Sequence, residues 1–417
     1  MHDLHVYSSR TNNTHIPILT RCSTKPDIGN DPIIETDSIE TSFLQASNPT
    51  KKPQFPSPLC PRGLVFDLGP NGSWDSQEVG YPVVKRFVSD DEERWYMWYH
   101  GRGEEGRGDA IGLAISSNGV HWERGMGSVQ SNADVGLAMN FSLDWWGFDT
   151  LSVRPSDVVI MSSSKVRTSS AVYWLYYTGF NSEKIEFNVG VGVGGDGTDV
   201  FKSLPGLAIS QDGRHWARIE GEHHTGALFD VGQEKEWDSL FVAAPKVVYH
   251  TSGDLRMYYH SFDIESSTFC VGIARSRDGM KWVKLGKIMG GGVSGGFDEF
   301  GVMNSHVVRY GKDRGYIMAY EGVAADGARS IGLAVSPDGL KDWKRFGDGA
   351  ILQRSVEEDG WDNKGVGSPC LVQMDGENDE WRLYYRGIGI GGRTSIGMAV
   401  SEGSKVTSFR KWTGFHL

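Results

Sequence analysis

Three carboxyl side chains stand where they could take part in acid–base chemistry. Glu321 directly follows an aromatic residue at the end of a strand-like run, and Glu78 and Asp263 stand near corresponding stretches elsewhere in the chain. Hydrolysis of a glycosidic bond needs two carboxyl groups beside the bond that breaks, one protonated and one ionised. Glu321 with Glu78, or Glu321 with Asp263, is therefore a candidate catalytic pair.

A second group of candidate residues is polar and mostly basic. Arginine holds carboxylate and phosphate oxygens through paired hydrogen bonds, so these residues could bind an anionic substrate, with Glu321 as the general acid beside it. For each residue taken singly, a structural role in satisfying backbone carbonyl groups or pairing with Asp stays open. The predicted substrate-binding residues are Tyr81, His100, Arg154, Lys246, His260, Asn304, His306 and Arg386.

The candidate site residues occupy variable positions within a sequence unit that is repeated five times. Each unit has an aromatic-Asp opening, a proline (Ser305 in the fourth unit) followed by a Val-rich stretch, an aromatic pair (Ala319-Tyr320 in the fourth unit), a run such as IGLA, and in most units an Asn-Gly or Asp-Gly turn. Because an Asp opens every unit, we predict that these residues support the fold by accepting backbone N–H hydrogen bonds. The opening residues are Asp75, Asp149, Asp238, Asp298 and Asp362.

Each unit is typical of a four-stranded antiparallel meander. Asn-Gly and Asp-Gly favour tight hairpin turns, and the flanking runs are rich in β-branched and aromatic residues. The glycine of the third strand leaves room for aromatic side chains of a neighbouring sheet. One such sheet cannot bury both of its apolar faces, whereas several sheets around an axis can. We therefore predict an all-β, five-bladed β-propeller of four-stranded antiparallel blades over residues 62–417.

The predicted topology brings two sets of variable positions to one funnel. In an antiparallel blade, the start of the first strand and the end of the second lie at the same rim. Residues 62–73 resemble the end of a unit, and we expect them to pack beside the last blade. The residues before the proline position are Tyr81, Arg154, Ala244, Asn304 and Ser368, and those after the aromatic pair are His100, Thr178, His260, Glu321 and Arg386.

The Trp-Asp opening, the Pro-Val strand, the Tyr-Tyr-x-Gly strand and the IGLA-x-S-x-D-G turn resemble the five-bladed propeller superfamily of arabinanases, levansucrases and invertases, with glycoside hydrolase families 43, 32 and 130 among its members. The resemblance implies a carbohydrate-active enzyme that acts on a polar, anionic or phosphorylated sugar in the funnel. The alternative is a non-hydrolytic propeller, which would be a phosphorylase-like enzyme, another small-metabolite enzyme or a binding protein.

The chain departs from the resembled hydrolases in its acids. Those enzymes take acids from the first strands of blades one to three, where this chain has Tyr81, Arg154 and Ala244. No cofactor is expected, although relatives of this type can hold a central structural cation. His100, His260 and His306 have no ligand-like local spacing, so we do not expect a catalytic zinc.

The first 55 residues lack the repeat, and we predict that they are disordered. Their start is basic, hydroxylated and acid-poor, which is typical of a plastid transit peptide and implies a chloroplast location. The alternative is a tail without an address on a cytoplasmic protein. The net charge of -11 disfavours nucleic-acid binding, and no apolar run approaches the ~20 residues of a spanning helix. The expected partner is a small-molecule substrate, and the sequence indicates no oligomeric state.

Overall fold

The computed structural model describes residues 4–7, 62–88, 93–104, 108–125, 134–163, 172–185, 200–310, 315–347, 349–374, 380–403 and 405–414. These residues belong to one compact unit. The predicted disordered segment 1–55 lies outside the described residues except for one short strand, β1 (Leu4–Tyr7). Within the described ranges, no helix is long and apolar enough to cross a membrane.

The unit is all-β and forms three hydrogen-bonded sheets, two of five strands and one of thirteen. Within these sheets the antiparallel ladders fall into five consecutive groups, and two single parallel bridges join the last three groups into the thirteen-stranded sheet. A short strand, β2 (Leu64–Phe66), precedes the first group, and a 3-10 turn spans Ile390–Gly392. Group 1 consists of β3 (Glu78–Val88), β4 (Glu93–Arg102), β5 (Ala110–Ser116), β6 (Glu123–Arg124) and β7 (Leu137–Met139). Group 2 consists of β8 (Ser152–Ser163), β9 (Val172–Ile185), β10 (Val200–Ser210) and β11 (Ala217–Ile219), and β1 pairs with β8.

The remaining groups follow the same order along the chain. Group 3 consists of β12 (Ala243–Thr251), β13 (Asp254–Asp263), β14 (Thr268–Ser276) and β15 (Trp282–Met289). Group 4 consists of β16 (Gly301–Tyr310), β17 (Gly315–Val323), β18 (Arg329–Ser336) and β19 (Lys344–Arg345). Group 5 consists of β20 (Gly365–Gln373), β21 (Trp381–Ile388), β22 (Thr394–Glu402) and β23 (Lys405–Lys411).

The first strand of each group contacts the first strands of neighbouring groups. β3 contacts β8, β8 contacts β12, β12 contacts β16, β16 contacts β20, and β20 contacts β3. At the start of the unit, β2 pairs antiparallel with β22, so residues before group 1 pack on group 5 as expected. The first strands therefore carry residues of all five groups into one region.

The hairpin between the third and fourth strands forms as its sequence predicts. In group 3, Gly279 has φ +79°, a conformation that glycine adopts without a steric penalty. The Asp278 carboxylate accepts hydrogen bonds from the N–H groups of Met280 and Lys281, at 2.9 and 2.8 Å. These side-chain bonds satisfy the backbone of the turn where the strand ladder stops.

The third-strand glycines make room for an aromatic ring, but for one from their own group. A Cβ on Gly112 would lie 2.5 Å from Trp74, and one on Gly397 would lie 2.6 Å from Trp361. Each of these rings comes from the aromatic-Asp opening of the same repeat, not from a neighbouring sheet as predicted. The opening aromatic residue therefore covers the third strand of its own group.

Each opening Asp is buried, and it binds side chains instead of the predicted backbone N–H groups. In group 2, Asp149 accepts hydrogen bonds from the Tyr177 hydroxyl at 3.0 Å and from Arg218 Nε at 2.8 Å. The same Asp–Tyr–base arrangement recurs in the other groups, with Tyr99, Tyr259, Tyr320 and Tyr385 as the phenols and Arg124, Lys284, Arg345 and Lys411 as the bases. The recurring Asp thus ties the second strand to the outer fourth strand.

Replacing Asp149 with Asn should lower the free energy of unfolding by about 2 kcal/mol, because Arg218 loses its charge partner and the Tyr177 hydroxyl a charged acceptor. Urea unfolding followed by tryptophan fluorescence measures this change. A matched control is Asp326→Asn, at an exposed turn. Equal stability of the two variants would contradict a structural role for the opening Asp.

Candidate functional site

A central pocket is lined by residues from the first strands of all five groups. Its lining is Tyr81, Pro82, Pro155, Ser156, Ala244, Lys246, Asn304, Ser368 and Pro369. The sequence predicts that residues beside the proline position converge, and Tyr81, Ala244, Asn304 and Ser368 do so.

Four of these positions have a left-handed backbone that is rare outside glycine. The φ angles are +50° at Tyr81, +52° at Ala244, +46° at Asn304 and +48° at Ser368. Each lies at a β-bulge, where two residues of the first strand oppose one residue of the second. Such a conformation costs on the order of 1–3 kcal/mol for each residue and persists where the surroundings enforce it, often at functional sites.

Group 2 departs from this pattern. Its register shows that the predicted equivalence of Arg154 with Tyr81 is wrong by one residue. Pro155 occupies the position equivalent to Tyr81, six residues after the opening Asp, and its ring excludes a positive φ. The register pairs Arg154 with Thr178 and skips Ser156, so Arg154 lies one position earlier than predicted. Asp157, eight residues after the opening Asp, is therefore the equivalent of Lys246, His306 and Cys370.

Tyr81 lies between two arginines at the rim of the pocket. The guanidinium carbons of Arg154 and Arg386 are each 5.2 Å from the centre of its ring, and Arg154 Nη1 is 3.4 Å from its hydroxyl. Burial raises the pKa of Tyr81, but the charges of Arg154 and Arg386 outweigh it and lower the pKa below the ordinary value. Arg386 Nε is buried and has no hydrogen-bond partner among the described residues.

Glu321 is fully buried beside these groups, and three donors hold it. Its carboxylate accepts hydrogen bonds from Arg329 Nη1 at 2.6 Å, Asn304 Nδ2 at 2.8 Å and the Ser368 N–H at 2.9 Å. Burial raises its pKa, yet Arg329 and Arg386 with these hydrogen bonds bring it below the ordinary value. Glu321 is thus an ionised carboxylate, which suits a charge-stabilising group better than a proton donor.

A second charged cluster surrounds His100. His100 Nε2 is 3.6 Å from Glu78 Oε2, and its ring meets the Tyr81 ring edge to face with 5.2 Å between centres. Arg102 pairs with Glu78, and Arg154 Nε donates to Asp109 at 2.6 Å. Burial, the main cause, lowers the pKa of His100 to about 4.

The ligand atoms of Glu78, His100 and Asp109 lie within 4.8 Å of one another, as in a metal site. Their carboxylates are however already paired with arginines, which a cation would have to displace. The donor set therefore fits a charge network better than the central cation that the resemblance allows.

Two further buried histidines each accept a hydrogen bond from a backbone N–H group. His260 Nδ1 accepts a hydrogen bond from the Asn304 N–H at 3.3 Å, and burial lowers the pKa of His260 to about 4. His306 Nδ1 accepts from the Leu371 N–H at 3.1 Å, and burial lowers its pKa to about 3. Asn304 donates hydrogen bonds to both His260 and Glu321, whereas none of the described contacts of Glu321 is with His306.

A cluster of ionisable residues, here called the inner layer, consists of Lys85, Asp157, Lys246, His306 and Cys370. Lys85 Nζ is 3.0 Å from Asp157 Oδ1, and burial lowers the pKa of Lys246 despite the charge of Asp157. Burial raises the pKa of Asp157, but Lys85 and Lys246 bring it below the ordinary value. Cys370 Sγ lies 3.9 Å from His306 Nε2. The predicted residues Lys246 and His306 thus belong to this layer, with Asp157.

Asp263 lies apart from the pocket rim. Its carboxylate accepts hydrogen bonds from Lys287 Nζ on the outer strand β15 at 2.7 Å and from Ser266 in the adjoining hairpin at 2.9 Å. None of its described contacts is with a rim residue. The structure therefore gives no support to the pair Glu321 and Asp263.

Sequence reasoning missed four charged residues that complete the site: Lys85, Asp109, Asp157 and Arg329. Counting eight residues from the opening Asp, rather than one from the proline, would have found Asp157. Asp109 and Arg329 stand at the starts of third strands, which have no repeated signal at that position. Their partners become visible only when the strands are assembled.

Comparison with known proteins gives a fold and few close relatives. No family model matches the chain. Among curated proteins, it is 29% identical over 234 residues to an uncharacterized protein of Mycobacterium tuberculosis, which covers 55% of this chain and 67% of the relative. A second uncharacterized protein from another strain of that organism is 29% identical over 236 residues.

Solved structures resemble the chain over most of its length. A glycoside hydrolase matches with a TM-score of 0.57 and 16% identity, covering 86% of this chain and 94% of that one. A thermostable family-43 glycoside hydrolase matches with a TM-score of 0.55 and 17% identity, covering 82% and 95%. A structure from the GH130 family of mannoside phosphorylases has a TM-score of 0.53 and 15% identity, covering 85% and 95%. The chain shares their fold.

Proposed function

We propose that this protein is a carbohydrate-active enzyme with a five-bladed propeller fold, acting on an anionic sugar in the central pocket. The five strand groups are the blades, and the closed series of contacts among β3, β8, β12, β16 and β20 supports that count. The placement of β2 beside β22 supports closure of the ring between the first and last blades.

The preference for an anion rests on the arginines at the rim. Arg386 has a buried Nε with no hydrogen-bond partner among the described residues, and it flanks the Tyr81 ring together with Arg154, whose own Nε is paired with Asp109. A carboxylate or phosphate group of a sugar would supply the missing acceptor and two-point geometry. This unsatisfied donor is the observation that carries the proposal.

Glu321 has a defined part in this scheme. An ionised carboxylate, fixed by Arg329 and Asn304, can stabilise the positive charge that develops at the sugar carbon in an oxocarbenium-like transition state. It is already held by three donors in the resting site, so it would act without rearrangement.

A non-hydrolytic reaction is the second candidate, and the charge state of the carboxylates favours it. Cations hold the pKa values of Glu321, Asp109 and Asp157 below their ordinary range despite burial. Ordinary glycoside hydrolysis needs one carboxyl group that keeps its proton. Phosphorolysis, in which inorganic phosphate attacks the sugar and the arginines position it, needs fewer carboxyl groups from the protein.

A binding and turnover screen separates these possibilities. Galactose, galacturonate and galactose 6-phosphate represent neutral, carboxylated and phosphorylated sugars, and titration calorimetry measures their affinities. The charged sugars should bind more tightly, and Arg386→Gln should weaken their binding by at least tenfold, which corresponds to about 1.4 kcal/mol. Arg393→Gln, at an exposed residue that pairs with Asp67, is the control and should keep wild-type affinity.

The screen also has outcomes that contradict the proposal. Tighter binding of galactose than of either charged sugar, or equal affinities of the Arg386 and Arg393 variants, would exclude an anion site at the rim. Bond cleavage in a panel of uronate- and phosphate-bearing glycosides, assayed with and without inorganic phosphate, separates hydrolysis from phosphorolysis.

A further inference from the structure

We propose that Tyr81 is the proton-accepting group of the central pocket and that Arg154 and Arg386 stabilise its phenolate. The inference deepens the proposed function, because the proton would come from a hydroxyl group of the bound sugar or of water. The proton moves to Tyr81 Oη, and the electron pair of the O–H bond stays on the donor oxygen.

The position of Tyr81 supports this role. It has φ +50° on a β-bulge and lines the pocket, at the same place as Ala244, Asn304 and Ser368. Among these equivalent residues, Tyr81 alone carries a side chain that can release a proton. The bulge therefore presents an ionisable group where the other groups present small or neutral side chains.

The surroundings of Tyr81 are those of a phenolate site. The two guanidinium carbons are 5.2 Å from its ring centre, and Arg154 Nη1 is within 3.4 Å of its oxygen. Arg329 adds a third positive charge, and Glu321 opposes it with a negative one. His100 meets the ring edge to face and is neutral at pH 7, since burial lowers its pKa to about 4.

Other bases near the pocket are less suited to accept a proton. All three donors of the Glu321 carboxylate are already in place, and this carboxylate is fully buried. His260 uses Nδ1 to accept the Asn304 N–H. Lys246 also lines the pocket, and the charge of Asp157 acts on it and favours its protonated form.

Tyrosines elsewhere in the fold provide a contrasting background. Burial raises the pKa of Tyr99, Tyr177 and Tyr259, which donate to the opening Asp residues. The ionisation of Tyr81 should therefore be separable from theirs in an absorbance titration near 295 nm, where tyrosinate absorbs.

The experiment compares wild-type protein with Tyr81→Phe from pH 6 to 11. The wild type should show a one-tyrosine step below pH 10 that Tyr81→Phe lacks. Tyr310→Phe is the matched control, because it removes an exposed tyrosine at the opposite end of β16 from Asn304. This control should keep the step. A wild-type titration without the step, or a step that survives in Tyr81→Phe, would overturn the proposal.

Addition of galacturonate or inorganic phosphate tests the link to the proposed function separately. An anion held by Arg154 and Arg386 competes with the phenolate for the same charges, so it should move the Tyr81 step to higher pH. By linkage, raising the pH through this step should weaken anion binding to the same extent. A step that neither anion moves leaves Tyr81 as an ionising residue and counts against anion binding at the rim.

Discussion

Replacing Asp157 with Ala should lower the free energy of unfolding by about 3–5 kcal/mol, because the change leaves the buried Lys246 and the half-buried Lys85 without a carboxylate partner. Asp157 is 4% exposed, Lys246 is 7% exposed, and Lys85 Nζ lies 3.0 Å from the carboxylate. The substitution also removes the acceptor of the Val247 N–H, at 3.1 Å. Asp157 lies on β8 and Val247 lies on β12, so removal of this hydrogen bond weakens the contact between groups 2 and 3.

Urea unfolding at pH 7.5 measures this effect, and the exposed pair of Glu222 and Lys281 gives a matched control. Their charged atoms are 2.8 Å apart, but both side chains are more than half exposed. Glu222→Ala should therefore cost less than 1 kcal/mol. If the charge of Lys246 is responsible, Asp157→Ala should cost less in a Lys246→Met background. Equal losses for Asp157 and Glu222 would show that Asp157 does not hold the inner layer together.

The sequence predicts the strands and turns of this protein well, because each repeat contains the local sequence patterns that favour them. The Asp-Gly turns and the aromatic pairs form as expected, since they depend on local backbone preference and on packing within one group. The third-strand glycines make room for an aromatic ring as predicted, but the ring comes from their own group. The hydrogen-bond partner predicted for each opening Asp was wrong, because a carboxylate near the start of a strand can accept hydrogen bonds either from backbone N–H groups or from a phenol distant in sequence. Only the assembled group brings Tyr177 and Arg218 to Asp149.

The site is less predictable because its charges pair across groups. Glu321 of group 4 accepts the Ser368 N–H of group 5, and Arg154 of group 2 donates to Asp109 of group 1. Proline misled the alignment in group 2, where Pro155 stands one residue before the usual position. The bulge keeps a constant spacing from the opening Asp, so backbone geometry and not residue identity sets which side chain enters the pocket.

Acidification should destabilise the protein between about pH 6.5 and pH 4, before most carboxylates are protonated. Burial lowers the pKa of His100 and His260 to about 4 and that of His306 to about 3. In the unfolded chain each histidine binds a proton near its ordinary pKa of about 6.5, whereas the folded protein excludes it. The unfolded state then holds more protons, so stability falls as the pH falls through this window. At pH 4, each histidine lowers the free energy of unfolding by roughly 3 kcal/mol or more relative to neutral pH.

Urea unfolding at pH 7.5, 6.5, 5.5 and 4.5 measures the slope of stability against pH, which approaches about 1.4 kcal/mol per pH unit for each histidine. His100→Gln should reduce the slope by one proton, because glutamine does not titrate and so removes one of the three groups with a lowered pKa. His121→Gln, at an exposed position, is the control and should leave the slope unchanged. Below about pH 4 the loss should continue, because Glu321, Asp109 and Asp157 have lowered pKa values and must then be protonated against their cation partners. A free energy of unfolding that stays constant from pH 6.5 to pH 4.5 would mean that these histidines take up protons in the folded protein. Their rings would then be accessible to solvent and not buried around the central pocket.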